Sequence, residues 1–324
     1  MLAEIVKNLQ KLLWNLLTMF KVTSRWPHQN SIKVEWNLGK RCNYNCTYCP
    51  ESIHDNTSPH TDISILKGTV DKLVALNKPV RLSFTGGEPT VHPNFEELVN
   101  YAKHVGISWV SVTTNGTRTP EWYKKQRVDQ YVFSIHFEYD FKRVLHTATS
   151  LKDTNKHLIL QLMAHHDHMK DVKDAAGYLD IINVPYTIRR IRWTEGDHDL
   201  FDDMRYHPDD LIWIKDCEAT VAPNVIIWMD NKYAQMPQHA NDVIKLHRNQ
   251  YKGWSCNAGL ESLMINWDGD VHRATCRVGG SLGNIYKSDI NVPKEPITCD
   301  RNYCTCAADI PLTKVNVLAQ ETQT

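Results

Sequence analysis

Short hydrophobic runs alternate with longer amphipathic segments from residue 31 to about residue 200 of the chain. The short runs have the length and the β-branched and aromatic content of buried strands, and the longer segments repeat their apolar residues at helical spacing. This alternation predicts a parallel sheet whose right-handed crossovers place the helices outside it. The predicted strands are Lys33–Asn37, Val80–Phe84, Trp109–Thr113, Tyr131–Phe137, Leu158–Met163 and Thr187–Trp193. The predicted helices are Ile63–Leu76, Phe95–His104, Pro120–Gln126, Phe141–Leu151 and Met169–Leu179.

Six β/α units define the predicted fold class, an α/β protein with a partial, TIM-like (β/α)6 barrel. Six units are too few for a closed eight-stranded barrel, and periodicity alone leaves a flat doubly wound sheet open. In both arrangements ligands bind at the C-terminal ends of the strands. The predicted segments are an N-terminal helix with a linker (1–30), the barrel core (31–200), a connecting region (201–255), a small cysteine-rich domain (256–312) and a polar tail (313–324).

The first 20 residues carry apolar side chains at helical spacing, from Leu2 to Phe20. This pattern predicts one amphipathic helix, which we expect to pack on the main body of the protein. A helix lying on a membrane surface is the alternative, although its polar face is only weakly basic. No apolar run in the sequence approaches the roughly 20 residues that are needed to span a bilayer.

Charge and cysteine content narrow the class of protein. Lysine plus arginine equals aspartate plus glutamate, at 37 each, so the zero net charge gives no reason to expect a nucleic-acid partner. The N-terminus shows no secretory signal, which predicts a cytoplasmic protein. In a reducing compartment, the nine cysteines favour metal binding over disulfides.

Three cysteines lie in one short segment directly after the first predicted strand: Cys42, Cys46 and Cys49. The segment therefore belongs to a loop at the C-terminal end of a strand. Three thiolates can hold one face of a cubane iron–sulfur cluster and leave one iron open to another ligand. A structural zinc site is the alternative, but it requires four protein ligands and the fourth is not evident here.

The C-x-x-x-C-x-x-C spacing, with an aromatic residue before the last cysteine, resembles the signature of the radical S-adenosylmethionine (SAM) superfamily. The Gly-Gly-Glu-Pro sequence at residues 86–89, one β/α unit later, resembles a second motif of that family. The resemblance implies that the three cysteines hold a [4Fe–4S] cluster, reduced by a donor such as flavodoxin or ferredoxin. Electron transfer from this cluster would cleave SAM to a 5′-deoxyadenosyl radical that abstracts hydrogen from a substrate.

The resemblance also implies which residues contact SAM. The two glycines allow the backbone to approach a ligand closely, and the carboxylate of Glu88 is an acceptor for the SAM ammonium group. Strand ends and the helix after strand four supply the remaining candidates. The full set is Tyr48, Gly86, Gly87, Glu88, Pro89, Thr113, Asn115, Ser134, His136 and Arg143.

Strands five and six carry polar and flexible residues that could face a substrate. Gln161 and Met163 end strand five, and three arginines mark strand six. On a strand Arg190 and Arg192 share one face and Arg189 takes the other. If these arginines face the barrel interior, they indicate a phosphate or carboxylate ligand. Arginines that are exposed to solvent would give no information about the ligand.

The region from residue 256 to residue 306 contains five cysteines: Cys256, Cys276, Cys299, Cys304 and Cys306. Together with a predicted hairpin at Asp268-Gly269, it resembles the SPASM/twitch auxiliary domains of some radical SAM enzymes. That resemblance implies a second, auxiliary [4Fe–4S] cluster. A cluster needs at most four thiolates, so one cysteine is spare, and a zinc site is the alternative. The isolated Cys217 is expected to be a buried small residue.

The predicted function is that of a radical SAM enzyme acting on a small molecule such as a sugar or a nucleotide. A compact core without an evident peptide-binding domain favours this substrate class. The first alternative is an enzyme that modifies a peptide or protein side chain. A non-catalytic, zinc-stabilised binding protein is a more distant alternative, and the two classes differ in whether the purified protein contains iron or zinc.

Overall fold

The structure is a computed structural model that describes residues 20–25, 31–51, 53–191, 205–217, 220–228 and 234–317. The predicted N-terminal amphipathic helix and the predicted position of Arg192 lie outside the described residues. No helix within the described part of the chain is long and apolar enough to cross a membrane.

The barrel core consists of alternating strands and helices, as the sequence predicted. Its strands are β2 (Ile32–Asn37), β3 (Val80–Thr85), β4 (Trp109–Thr114), β5 (Gln130–Ile135), β6 (His157–Ala164) and β7 (Tyr186–Arg190). Its helices are α1 (Ile63–Val74), α2 (Phe95–His104), α3 (Pro120–Lys125), α4 (Phe141–Thr149) and α5 (Met169–Ile181). Each boundary lies within three residues of its prediction. The strands pair in parallel in chain order, which gives the partial (β/α)6 barrel.

Alternate side chains of these strands point to opposite faces of the sheet. Leu160, Leu162 and Tyr186 pack into the hydrophobic core that the helices cover. The opposite, interior face carries polar side chains, and Ser134, Gln161 and Thr187 form one row across β5, β6 and β7 because they pair in register. The C-terminal ends of the strands therefore open onto a polar interior, which is where a ligand is expected.

A C-terminal hairpin extends the barrel sheet at its other edge. Strand β11 (Ser262–Ile265) pairs in parallel with β2, and β12 (Asp270–His272) and β13 (Ser281–Asn284) continue the sheet. The turn between β11 and β12 contains the predicted glycine, Gly269, with a φ of 87°. The cysteine-rich region and the barrel thus share one sheet.

A second sheet joins segments from distant parts of the chain. Its spatial order is β14 (Ile297–Thr298), β10 (Ser255–Cys256), β15 (Lys314–Val315), β1 (Lys21–Ser24), β8 (Val225–Trp228) and β9 (Ala234–Gln238). Two further helices, α6 (Pro208–Asp216) and α7 (Ala240–Lys245), flank these strands in the sequence. The sequence predicted a polar tail from residue 313. The structure instead has a strand at the start of this segment, because β15 is paired on both sides and Lys314 is only 1% exposed.

Candidate active site

The loop with the first three cysteines leaves β2 at its C-terminal end. Its backbone is fixed at the base, where the Cys42 amide donates to the Asp55 carbonyl at 2.9 Å and the Asp55 amide donates to the Lys40 carbonyl at 3.0 Å. The loop therefore lies where the sequence placed it, at the ligand-binding end of the barrel.

Burial raises the pKa of all three thiols of this loop, to about 12 for Cys46 and about 11 for Cys49. The negative charges of neighbouring thiolates add to the effect for Cys46 and Cys49, and that of Glu88 adds to it for Cys42. Three grouped thiolates therefore need positive charge beside them, which an iron cluster would supply.

The two glycines after β3 approach the chain just before the cysteine loop. The Gly87 amide donates to the Gly39 carbonyl at 2.8 Å. A Cβ atom on Gly87 would lie 2.3 Å from the carbonyl oxygens of Lys40 and Arg41, and one on Gly86 would lie 2.5 Å from the Gly39 carbonyl oxygen. The sequence explained these glycines by close approach to a ligand. In the structure their small size lets β3 support the cysteine loop.

Glu88 is buried, with 3% of its surface exposed. One carboxylate oxygen accepts hydrogen bonds from the Thr90 amide at 3.0 Å, the Thr90 hydroxyl at 2.6 Å and the Thr114 hydroxyl at 2.9 Å. The other accepts from the Asn115 amide at 2.6 Å. Burial raises the pKa of Glu88, and these four donors oppose that shift by favouring the carboxylate. The side chain predicted to bind the SAM ammonium group thus joins the ends of β3 and β4, next to the buried Pro89.

Asn115 connects the end of β4 to the cysteine loop. Its side-chain amide donates to the Asn43 carbonyl oxygen at 2.8 Å and lies 3.8 Å from the Cys42 sulfur. Asn43 in turn donates to the Thr117 hydroxyl at 2.8 Å. Thr113 lies on the interior face of β4, where it pairs with Val132 of β5. Both predicted residues are therefore at the site, and Asn115 directly contacts Cys42.

His136 follows β5 and lies against the other side of the loop. Its Nδ1 atom is 2.5 Å from the Tyr48 hydroxyl and 3.4 Å from the Cys46 sulfur. Burial lowers the pKa of His136 to about 4, so the ring is neutral at pH 7. Ser134 is buried on the interior face of β5. Arg143, at the start of α4, is half-exposed, and it donates to the Thr117 carbonyl at 3.4 Å. It also lies close enough to Tyr44 of the cysteine loop to oppose the rise in the pKa of Tyr44 that burial causes.

Several residues that the sequence did not single out also hold this loop. The Tyr139 ring stacks on Tyr44 with centroids 3.8 Å apart, and its hydroxyl accepts from the Asn45 amide at 2.6 Å. The Glu138 carboxylate accepts from the Thr47 hydroxyl at 2.7 Å. Both residues lie within three positions of His136, so the chain after β5 contacts the loop with several side chains. Sequence motifs could not reveal this, because only the fold brings residues 44–48 and 136–139 together.

Strand β6 adds a group of potential metal ligands at the same end of the barrel. The ligand atoms of His165, His166 and Asp167 lie within 4.8 Å of one another. The Nδ1 atom of His165 already accepts the Asp167 amide at 3.2 Å, and its Nε2 atom lies 3.7 Å from the Glu138 carboxylate. This arrangement fixes the end of β6 beside the cysteine loop.

The five C-terminal cysteines lie around two buried charged residues. The carboxylate of Asp309 accepts the Cys276 amide at 3.0 Å. The Lys314 ammonium group donates to three backbone carbonyls, those of residues 309, 310 and 312. Burial raises the pKa of the Cys256 and Cys304 thiols, and the charge of Lys314 opposes that rise. A buried ammonium group among thiols is stabilised by negative charge nearby, which thiolates bound to a metal cluster would supply. The donor set therefore fits a metal cluster.

Cys306 lies near Cys304 and also near interior residues of the barrel. Burial raises the pKa of Cys306, and the negative charges of Asp309 and Glu35 raise it further. Glu35 belongs to the interior face of β2. Cys306 also acts electrostatically on Lys33 and Arg189, which lie on the interior faces of β2 and β7. The isolated Cys217 is half-buried and packs against the barrel core.

The fold and this loop define a class of protein: a partial (β/α)6 barrel with a three-cysteine cluster site at the C-terminal ends of its strands. Residues 36–191 match the family model described as the radical SAM superfamily. The barrel core of this chain thus matches that superfamily, whose members use a [4Fe–4S] cluster together with SAM.

Known relatives match only part of the chain. Fe-coproporphyrin III synthase of Methanosarcina barkeri is 37% identical over 86 residues, which cover 26% of this chain and 21% of the relative. The mycofactocin maturase MftC of Mycobacterium tuberculosis is 35% identical over 104 residues, covering 31% and 26%. The alignments thus span about a quarter of these relatives. The solved structure of anSMEcpe with bound AdoMet (SAM) is similar in fold, with a TM-score of 0.55 at 16% identity, covering 80% of this chain and 79% of that one.

Proposed function

We propose that this chain is a radical SAM enzyme that removes a hydrogen atom from a small-molecule substrate held inside the barrel. The observation that carries the proposal is the support of the cysteine loop from three neighbouring strands. Gly87 after β3, Asn115 after β4 and His136 after β5 each contact the segment between Gly39 and Tyr48. When bound, the cluster and SAM supply the electron transfer and the 5′-deoxyadenosyl radical of the reaction.

In this proposal the protein residues hold and shield the cofactors. Cys42, Cys46 and Cys49 would hold the cluster and leave it one open position for SAM. The neutral His136 and the Tyr48 hydroxyl cover Cys46 on the barrel side and exclude water from that sulfur. A donor such as flavodoxin or ferredoxin would reduce the cluster from the outside.

The proposed substrate class is a small molecule, because the polar row on the interior face is enclosed by protein. Ser134 and Thr187 of this row are buried, and the Thr187 hydroxyl makes no hydrogen bond within the described part of the structure. A substrate would satisfy such a group. Peptide modification is the second candidate function, since the relative MftC is named a maturase. Product analysis with candidate small molecules and with peptides would separate the two.

We also propose that Cys256, Cys276, Cys299 and Cys304 hold an auxiliary [4Fe–4S] cluster, and that Cys306 is the spare cysteine. The support is electrostatic: Cys276 is influenced by Cys256 and Cys299, and Cys304 by Cys276 and Cys306. We choose Cys306 as the spare because it also acts on Lys33 and Arg189 of the barrel interior. The region would thus act as a SPASM/twitch-like auxiliary domain.

The experiment is anaerobic reconstitution followed by iron counting and measurement of 5′-deoxyadenosine. We expect a brown protein with about eight irons. Cys42→Ala should abolish SAM cleavage and leave about four irons, and Cys304→Ser should likewise leave about four. Cys306→Ser should keep about eight, as should the control Cys217→Ser. A colourless, zinc-containing protein, or SAM cleavage that survives Cys42→Ala, would refute the proposed function.

A further inference from the structure

Arg189 lies on the interior face of β7, inside the barrel. It pairs in register with Met163 of β6, two positions after the pair formed by Gln161 and Thr187. The intervening Ile188 packs against the helix-covered core, so Arg189 is on the opposite side of the sheet. The sequence had grouped Arg190 with Arg192 on one face, and the structure identifies the single arginine on the other face as the interior one.

Among the described residues, the guanidinium group of Arg189 makes one hydrogen bond, from Nη1 to the side-chain oxygen of Asn241 in α7 at 3.0 Å. A guanidinium group carries five N–H donors. Two ionisable side chains also lie near it: His239, whose pKa is lowered by burial and by the arginine, and Cys306. Within the described part of the chain no carboxylate forms an ion pair with it.

Two other cations of this region have such a carboxylate. Lys33 forms an ion pair with Glu35 at 2.6 Å, and Asp309 adds a second negative charge beside it. Burial raises the pKa of Asp309, and the buried Lys314 lies close enough to oppose that rise. Removing a cation even partly from water is costly unless an anion compensates it. Arg189 differs from both lysines because no carboxylate among the described residues compensates its charge. The nearby buried Thr187 hydroxyl likewise makes no hydrogen bond among these residues.

We propose that Arg189 binds an anionic oxygen group of the substrate, a carboxylate or a phosphate, with Thr187 and Asn241 as hydrogen-bonding neighbours. The planar fork of the guanidinium group matches the two oxygens of either anion. This inference rests on the proposed function and narrows its substrate class to small anionic molecules.

The test measures thermal unfolding of the reconstituted protein with increasing inorganic phosphate or acetate, compared with chloride at equal ionic strength. An anion that binds the native state raises Tm with a saturable dependence on its concentration. We expect such a rise in the wild type with at least one of the two anions. Arg189→Met should weaken the apparent affinity by about tenfold or more. Arg189→Lys should retain a weaker response.

Arg190→Met is the matched control, because it removes the same charge from the adjacent residue on the opposite face. Its anion response should equal that of the wild type. A response to phosphate alone identifies a phosphate-bearing substrate, and a response to acetate alone identifies a carboxylate. No response in the wild type, or an equal response in Arg189→Met, overturns the proposal.

A second measurement does not depend on the folding of any variant. Phenylglyoxal modification of the wild-type protein, mapped by mass spectrometry, should label Arg189, and the effective anion should protect it. The exposed Arg127 should be labelled with or without the anion. An Arg189 that is never labelled, or never protected, contradicts the inference. SAM cleavage by the wild type is measured separately, so a lost anion site with intact cleavage would leave the proposed function standing.

Discussion

Replacing Glu88 by glutamine tests whether this carboxylate joins two strand ends or binds SAM. Glutamine has the same shape, but its amide nitrogen cannot accept a hydrogen bond. If the remaining oxygen keeps the Thr90 and Thr114 donors, the Asn115 amide loses its acceptor at 2.6 Å. Because Asn115 also contacts Asn43 and Cys42, the cysteine loop loses part of its support.

The magnitude follows from the lost contact. A hydrogen bond to a charged group contributes about 1.5–3 kcal/mol, and the buried Asn115 amide would also be left without a partner. A neutral amide has a smaller desolvation penalty than a carboxylate, and this difference offsets part of the cost. We therefore expect Glu88→Gln to lower the free energy of unfolding by about 2–3 kcal/mol.

The assay is urea unfolding of the cluster-free protein followed by circular dichroism, with the shift in midpoint as readout. Glu97→Gln is the matched control, since this exposed carboxylate pairs with Lys67 on the surface, and we expect no measurable change. Wild-type stability in Glu88→Gln would refute the structural role. If that stable variant nevertheless failed to bind SAM, the carboxylate would be the SAM ligand that the sequence suggested.

Three further predictions concern single side chains. Lys314→Met should lower the midpoint potential of the auxiliary cluster in an EPR-monitored titration, because a buried positive charge favours the reduced form; an unchanged potential would place that cluster elsewhere. Burial lowers the pKa of His239 from 6.5 to about 4. Between these two pH values the unfolded chain binds a proton at this residue and the folded chain does not, so stability falls as the pH falls. The wild type should therefore lose up to about 1.4 kcal/mol per pH unit relative to His239→Asn, which keeps the helix cap, and parallel urea midpoints would contradict this. Gly87→Ala should prevent cluster assembly because its Cβ meets backbone at 2.3 Å, whereas Gly68→Ala, on an open helix surface, should reconstitute normally and be slightly more stable.

The sequence by itself determined the local features of this protein. Buried strands such as β3 and amphipathic helices such as α2 have periodicities that neighbouring residues fix, so their boundaries were predicted closely. The three cysteines of the first loop were found in the same way, since their spacing is local. Right-handed connection of consecutive β/α units then gave the barrel order.

Only the tertiary structure decided the contacts between distant segments. Glu88 contacts Asn115 because two strand ends lie side by side, and β11 pairs with β2 across more than 200 residues. Strand pairing of that separation leaves no periodic trace in the sequence. Whether Arg189 or Arg190 faces the barrel interior depends on the register of β7, and a shift of one residue would exchange them. Lys314 was read as part of a polar tail because its burial depends on partners that only the folded chain brings to it.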